Sequence, residues 1–196
     1  MTLADKVTSL RLILAPFFFV VYLLPNLSLF SGDYKWTVPI LWILFILSEI
    51  TDLLDGKIAR SRNEVSDFGK LFDPFSDVLV RITYFLCFVI EGILPAFLFL
   101  AVLYREYSIL FIRNLMIAKK VVMGARWGGK IKAFTYMIAG AIALISASIN
   151  RLGIEGTSFA ITSAIAVIVF SISVIISIIS FIDYFLVYKK TAKGTE

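Results

Sequence analysis

Apolar positions fall into six blocks, roughly 9–24, 38–54, 75–99, 103–118, 134–149 and 158–188, separated by polar connections. A helix crosses the hydrocarbon with about 20 mostly apolar residues, fewer where protein wraps its end, so each block predicts one spanning helix. The last block exceeds that need, and a tilted helix reaching past the hydrocarbon accommodates it. The pattern predicts an all-α, polytopic integral membrane protein with six transmembrane helices. No internal repeat, soluble domain or low-complexity tract interrupts it, so residues 1–196 read as a single domain. Residues 1–8 are polar enough to lie at the interface, with Asp5 or Thr8 as a cap for the first helix. Without a small-residue cleavage site, and with Pro16 mid-run, that helix reads as retained rather than as a signal peptide. Pro25, Asn26, Ser31, Gly32 and Asp33 mark the first outer connection, where Tyr34 and Trp36 bracket Lys35 as an interfacial belt does. Gly92 and Pro95 mark the second outer turn.

The basic residues orient the pattern. Fourteen Lys and Arg lie at the amino end, in the second and fourth connections and in the tail, against only Lys35 and Arg151 on the opposite side. The positive-inside rule therefore puts both termini in the cytoplasm. Composition agrees with a membrane protein: 60% of the 196 residues are hydrophobic, against about 45–50% in a soluble domain, and mean hydropathy is +0.93. The net charge of +5 is then a basic rim against anionic headgroups and needs no nucleic acid. A single cysteine, Cys87, excludes a disulfide within the chain and reads as a small core residue.

The apolar pattern breaks most sharply at 52–77. Asp52, Asp55, Gly56, Ala59 and Arg60 sit at i, i+3, i+4, i+7 and i+8, one stripe of a helix, and Gly69, Asp73 and Asp77 form a second stripe. One pair of Asp closes an apolar run and the other opens the next, so two helix ends meet at one membrane face. Carboxylates beside hydrocarbon face a protein interior or a watery cavity and usually mark function. With no His and one Cys, the usual zinc ligands are missing, leaving hard oxygen donors suited to magnesium, manganese or calcium. Two divalent cations would neutralise four Asp. The plainer reading makes these Asp solvated loop charges or partners of Arg60, Arg62 and Lys70, but surface charges have no need of small residues in register with them.

Cations also interrupt the apolar runs. Arg11 shares a face with Thr8 and reads as a membrane-border anchor or a phosphate partner. Arg81 lies four residues beyond Asp77, where it holds a phosphate or pairs with that Asp. Arg105 and Arg113 lie about two turns apart on one side of the fourth helix and bind an anion, or form a structural pair with Glu106. The Lys119–Lys132 connection places Gly124, Gly128 and Gly129 beside Arg126, Lys130 and Lys132, as a phosphate-approaching loop or an ordinary cytoplasmic one. The Ser-rich last two helices, with Ser146, Ser148, Ser171, Ser173 and Ser177, read as packing surfaces or a dimer seam.

The spacing D-x-x-D-G-x-x-A-R, eight residues, then G-x-x-x-D-x-x-x-D, resembles the signature of the CDP-alcohol phosphotransferases, and every fixed position is met. That resemblance implies metal ligands at Asp52, Asp55, Asp73 and Asp77, with two Mg2+ or Mn2+ ions. It implies a nucleotide and diphosphate side at Gly56, Ala59, Arg60, Ser66, Asp67 and Gly69. R-E with a second Arg, as Arg105, Glu106 and Arg113, and W-x-G-K-x-K, as Trp127, Gly129, Lys130 and Lys132, resemble the phosphatidylglycerol-phosphate synthase branch. Val78 and Ala133 depart from that branch, which commonly has Lys after the last Asp and Thr after K-x-K.

The implied reaction moves a phosphatidyl group from CDP-diacylglycerol to an alcohol, releasing CMP, in a bacterial cell membrane with the site facing the cytoplasm and the chain forming a homodimer among membrane lipids. With no His, the nearest candidate base is a carboxylate of the cluster, and the resemblance points to Asp77. Arg81, Arg105, Arg113, Lys130 and Lys132 are more positive groups than a neutral alcohol requires, which favours a phosphorylated acceptor. Glycerol 3-phosphate is the first choice, followed by inositol phosphate, then inositol or serine. A CDP-linked headgroup donor with diacylglycerol as acceptor is a further alternative. An ion carrier built on paired Asp would lack a repeated half and leave Gly56, Ala59 and Gly69 unexplained. A non-catalytic lipid scaffold would not need four Asp in register.

Overall fold

The computed structural model describes residues 3–27, 33–61, 67–118, 127–154 and 157–193. Among these the chain is all-helical: α1 (Leu3–Leu23), α2 (Thr37–Ser61), α3 (Asp67–Ile90), α4 (Ala96–Ala118), α5 (Trp127–Arg151) and α6 (Thr157–Lys193). Two short 3-10 turns, Leu24–Leu27 and Tyr34–Trp36, flank the first connection. Asp33 caps the second, its carboxylate accepting from the Lys35 amide at 3.1 Å, and the Lys35 side chain holds that carboxyl below the usual range.

Three boundaries differ from the hydropathy reading. The block at 75–99 is cut at 91–95: α3 ends at Ile90 and α4 begins at Ala96. Gly92 turns the chain with φ +78°, and the Pro95 carbonyl accepts from the amides of Leu98 and Phe99 to start α4. α3 begins at Asp67, ahead of the apolar block, so Gly69, Asp73 and Asp77 lie on one helix, as their stripe predicts. α5 begins at Trp127, which makes Gly128 to Lys132 its first turns and not part of a loop. Thr8 is no cap either, since α1 already starts at Leu3 and Thr8 is buried inside it.

Exposure is inverted relative to a soluble protein. Phe97 is 71% exposed and Phe111 64%, while Arg11 is 2%, Glu106 3% and Arg105 6% exposed. Apolar surface of this extent is stable only against lipid, with the charges turned inward. Among the described residues, four stretches are long and apolar enough to cross a membrane: Lys6–Asn26, Tyr34–Asp52, Gly128–Arg151 and Thr157–Lys189. The other two helices, α3 and α4, carry Asp73, Asp77, Arg81, Arg105, Glu106 and Arg113. The chain is an integral membrane protein.

Because lipid is as apolar as Leu, helices here associate through close packing and buried polar contacts. α5 lies along α6, α1 lies against α2 and α3, and α4 bridges α3 and α6. An aromatic core joins them, with Phe18 on Tyr84 at 4.4 Å, Tyr84 on Phe45 at 5.4 Å and Phe85 on Phe170 at 4.7 Å. Each such pair contributes about 0.5–1.5 kcal/mol beyond its area. Cys87 is a buried free thiol in this core, as expected. Gly140 brings α5 against α2, where an added Cβ would meet Phe45 at 3.3 Å. The small residues pack within the chain: Ser146 and Ser163 share a 2.6 Å hydrogen bond between α5 and α6, and the Trp42 indole donates to Ser148 at 3.1 Å.

The core ends in a polar clamp at one pole. Arg151 donates to the Tyr22 carbonyl at 2.7 Å and to Thr37 Oγ1 at 3.0 Å. It pairs with Glu91 at 3.6 Å and lies 4.5 Å over the Tyr22 ring. Asn150 also donates to Glu91, at 3.0 Å. One residue thus ties α1, α2, α5 and the turn after α3 together and leaves the other pole to the Asp cluster.

Candidate active site

α2 continues unbroken to Ser61, so the helical period carries Asp52, Asp55, Gly56, Ala59 and Arg60 as one stripe, as their spacing predicts. Asp52 faces Asp73 and Asp77 of α3, and one carboxylate oxygen from each lies within 4.8 Å of the others. Asp55, Gly56, Ala59 and Arg60 are on α2, and Asp67 opens α3, but their side chains lie outside the described residues, as does Ser66 altogether. Gly69 is half-buried in the first turns of α3.

A residue from α1 completes this cluster. The Arg11 guanidinium donates from Nη1 to Asp52 at 2.6 Å, from Nη1 to Asp77 and from Nη2 to Asp73 at 2.7 Å. Its position in the sequence suggests a border anchor or a phosphate partner; among the described residues it is the cation between the carboxylates of Asp52, Asp73 and Asp77. Asp77 therefore pairs with Arg11, while Arg81 donates across to the Ala133 carbonyl of α5 at 3.1 Å. The donor set fits a divalent cation: hard carboxylate oxygens, close enough for one ion with oxygens at about 2.0–2.6 Å to bridge, already gathered around a positive group.

Beside the cluster lies a cavity of about 260 Å³ lined by Asp77, Arg81, Arg105, Glu106, Arg113, Lys130, Lys132, Ser180 and Tyr184, among others. All five cations singled out in the sequence reach it, from α3, α4 and α5. Five positive side chains against two carboxylates give its lining a net positive charge. Arg105 lines the cavity and makes the structural pair with Glu106, donating to it at 3.0 Å and to the Ser177 carbonyl at 3.0 Å. Glu106 also accepts from Lys132 Nζ at 2.9 and 3.0 Å. Arg113 donates from Nε to the Tyr184 hydroxyl at 3.3 Å, with its guanidinium 5.8 Å over that ring. Gly128 lets α5 meet α6 here, where an added Cβ would lie 3.1 Å from Ser180 Oγ.

Sequence reasoning singles out Arg11 and Glu106 but misses the Asp partners of Arg11, the Lys132 bond of Glu106 and the α6 wall of Ser180 and Tyr184. A signal existed for Arg11, because an Arg inside an apolar run is costly unless it has a partner. None existed for Ser180 and Tyr184, which look like ordinary helix residues until α6 is packed on α4 and α5.

Residues 1–182 match the family model described as CDP-alcohol phosphatidyltransferase. A CDP-diacylglycerol–glycerol-3-phosphate 3-phosphatidyltransferase of Treponema pallidum is 34% identical over 94% of this chain and 88% of its own. A protein of the same description from Bacillus subtilis is 33% identical over 70% of this chain and 73% of its own. A probable phosphatidylglycerophosphate synthase of Mycobacterium tuberculosis is 28% identical over 93% of this chain and 79% of its own.

Proposed function

Because the chain belongs to the CDP-alcohol phosphatidyltransferase family, we propose that it transfers the phosphatidyl group of CDP-diacylglycerol to glycerol 3-phosphate, giving phosphatidylglycerol phosphate and CMP. The observation that carries this reading is the single cavity lined by Asp77 together with Arg81, Arg105, Arg113, Lys130 and Lys132. The names of the relatives from Treponema pallidum and Bacillus subtilis support the same donor and acceptor.

In this reading the acceptor's phosphate sits among the five cations and its hydroxyl points toward Asp77. The hydroxyl oxygen attacks the phosphorus of the phosphatidyl group, the bond from that phosphorus to the CMP oxygen breaks, and the hydroxyl proton passes to Asp77. Asp52, Asp55, Asp73 and Asp77 would hold two Mg2+ or Mn2+ ions, which supply charge neutralisation at the diphosphate as CMP departs. Gly56, Ala59, Arg60, Ser66, Asp67 and Gly69 form the nucleotide and diphosphate side. Fixing both substrates at one membrane pole supplies proximity, which the site's residues provide by position alone.

The basic connections support six crossings with both termini and the site in the cytoplasm of a bacterial cell, where the water-soluble acceptor is available. Residues 1–196 act as a single domain. Product analysis by mass spectrometry tests the reading: purified protein, CDP-diacylglycerol, magnesium and glycerol 3-phosphate should give phosphatidylglycerol phosphate. Asp77→Asn should abolish product while nucleotide binding persists. Folded wild-type protein that forms no such product, or an Asp77→Asn variant of normal activity, would overturn it.

A further inference from the structure

We infer that Arg11 is a resident counter-cation that a divalent ion must displace, the guanidinium and the metal competing for the same oxygens of Asp52, Asp73 and Asp77. This rests on the metal-binding reading proposed above and adds to it a residue outside the D-x-x-D stretch. The geometry is specific. Nη1 donates to Oδ1 of Asp52 at 2.6 Å and to Oδ1 of Asp77, and Nη2 donates to Oδ1 of Asp73 at 2.7 Å. Among the described residues, the three acidic residues that can converge on one ion are each bound by Arg11.

Two positive groups do not share those oxygens. A divalent ion takes carboxylate oxygen at about 2.0–2.6 Å, nearer than a guanidinium nitrogen can approach, and repels the guanidinium that stands among the same ligands. Arg does not relieve that repulsion by losing a proton. Its side chain has to swing away, so its Asp contacts and the metal's are alternatives. Three carboxylates gathered this closely also need a positive charge in either state. Arg11 provides it when the ion is not there, which holds α1 against α2 and α3 and keeps the ligands assembled. Each exchange then weakens apparent metal affinity by the free energy of the Arg11 contacts, as for any two ligands of one site.

Titration of Mn2+ into the detergent-solubilised full chain tests this, with free Mn2+ read by electron paramagnetic resonance. Wild type is compared with Arg11→Lys and Arg11→Met. The methionine variant should bind Mn2+ about tenfold more tightly, because its competitor is gone. Its metal-free form should melt at a lower temperature than wild type, and saturating Mn2+ should raise its melting temperature by a larger increment. Arg11→Lys should fall between, since an ammonium lacks the planar fork that engages three oxygens; it carries the test alone if the methionine variant does not fold. Wild-type binding with equal or weaker affinity in the folded variants overturns the inference and leaves the metal site standing. No Mn2+ binding by any of the three proteins overturns both.

Discussion

Glu106 on α4 accepts both of its oxygens' hydrogen bonds from Lys132 on α5, at 2.9 and 3.0 Å, and with Arg105 at 3.0 Å forms a buried triad. Two cations are thereby fixed in the wall of the cavity proposed for the acceptor by one carboxylate. Without it they would repel each other and the long lysine would sample many rotamers.

Glu106→Gln keeps the shape and removes the charge. Stability should drop by about 3–5 kcal/mol, the usual effect of stranding a buried charge, seen as a lower melting temperature. The KM for glycerol 3-phosphate should rise about tenfold or more, because Lys132 loses its position. Glu106→Gln combined with Lys132→Met should recover part of the stability without recovering the KM. A glutamine variant with unchanged KM would show that Glu106 only packs.

Arg113 reaches the cavity from α4 and is steadied by Tyr184 on α6. Tyr184→Phe removes a 3.3 Å hydrogen bond but keeps the ring, so acceptor KM should rise by about two- to fivefold. Arg113→Ala should raise it more, with kcat reduced less than kcat/KM. Steady-state kinetics with varied acceptor separates the two effects.

The adjacent glycines of α5 should behave differently. A Cβ at Gly128 lies 3.1 Å from Ser180 Oγ and 3.2 Å from Ser180 Cβ, whereas one at Gly129 meets nothing within 4 Å. Gly129→Ala should therefore stabilise the helix by about 0.5–1 kcal/mol. Gly128→Ala should push α5 from α6 and lower the melting temperature. Thermal unfolding in detergent distinguishes them.

Arg151→Met should lower the melting temperature sharply, since it strands Glu91 and frees the Tyr22 carbonyl; loss of one partner of a largely buried pair costs about 3–5 kcal/mol. The clamp lies away from the Asp cluster, so Mn2+ affinity of the folded variant should match wild type. A Mn2+ titration beside the melting curve checks both halves.

The legible parts of the sequence were those set by local period. Asp52, Asp55, Gly56, Ala59 and Arg60 are one stripe because a helix repeats every 3.6 residues, and no tertiary knowledge is needed to see it. The break after α3 was harder to read, because Ile93 and Leu94 keep the turn apolar and are both buried. Hydropathy sees no interruption there; only Gly92 and Pro95 signal it. The first turns of α5 have the composition of a cytoplasmic loop, glycines beside basic side chains, yet the contact between Gly128 and Ser180 uses the missing side chain for close packing. Arg11 was misassigned for a different reason. Its partners are 41, 62 and 66 residues away, a convergence that spacing along the chain cannot express.

Chemistry should require metal. Chelation of divalent ions should stop CMP release, and Mg2+ or Mn2+ should restore it, because the clustered carboxylates of Asp52, Asp73 and Asp77 would otherwise repel the anionic diphosphate. Activity that persists through exhaustive chelation would contradict the assigned role of the Asp cluster.

The most direct test of the central claim is CMP release by purified protein from CDP-diacylglycerol with magnesium or manganese, comparing glycerol 3-phosphate, inositol phosphate, inositol and serine. A cavity with five cations beside Asp77 predicts selective release with glycerol 3-phosphate and little with the unphosphorylated alcohols. Equal or faster release with inositol or serine would contradict it.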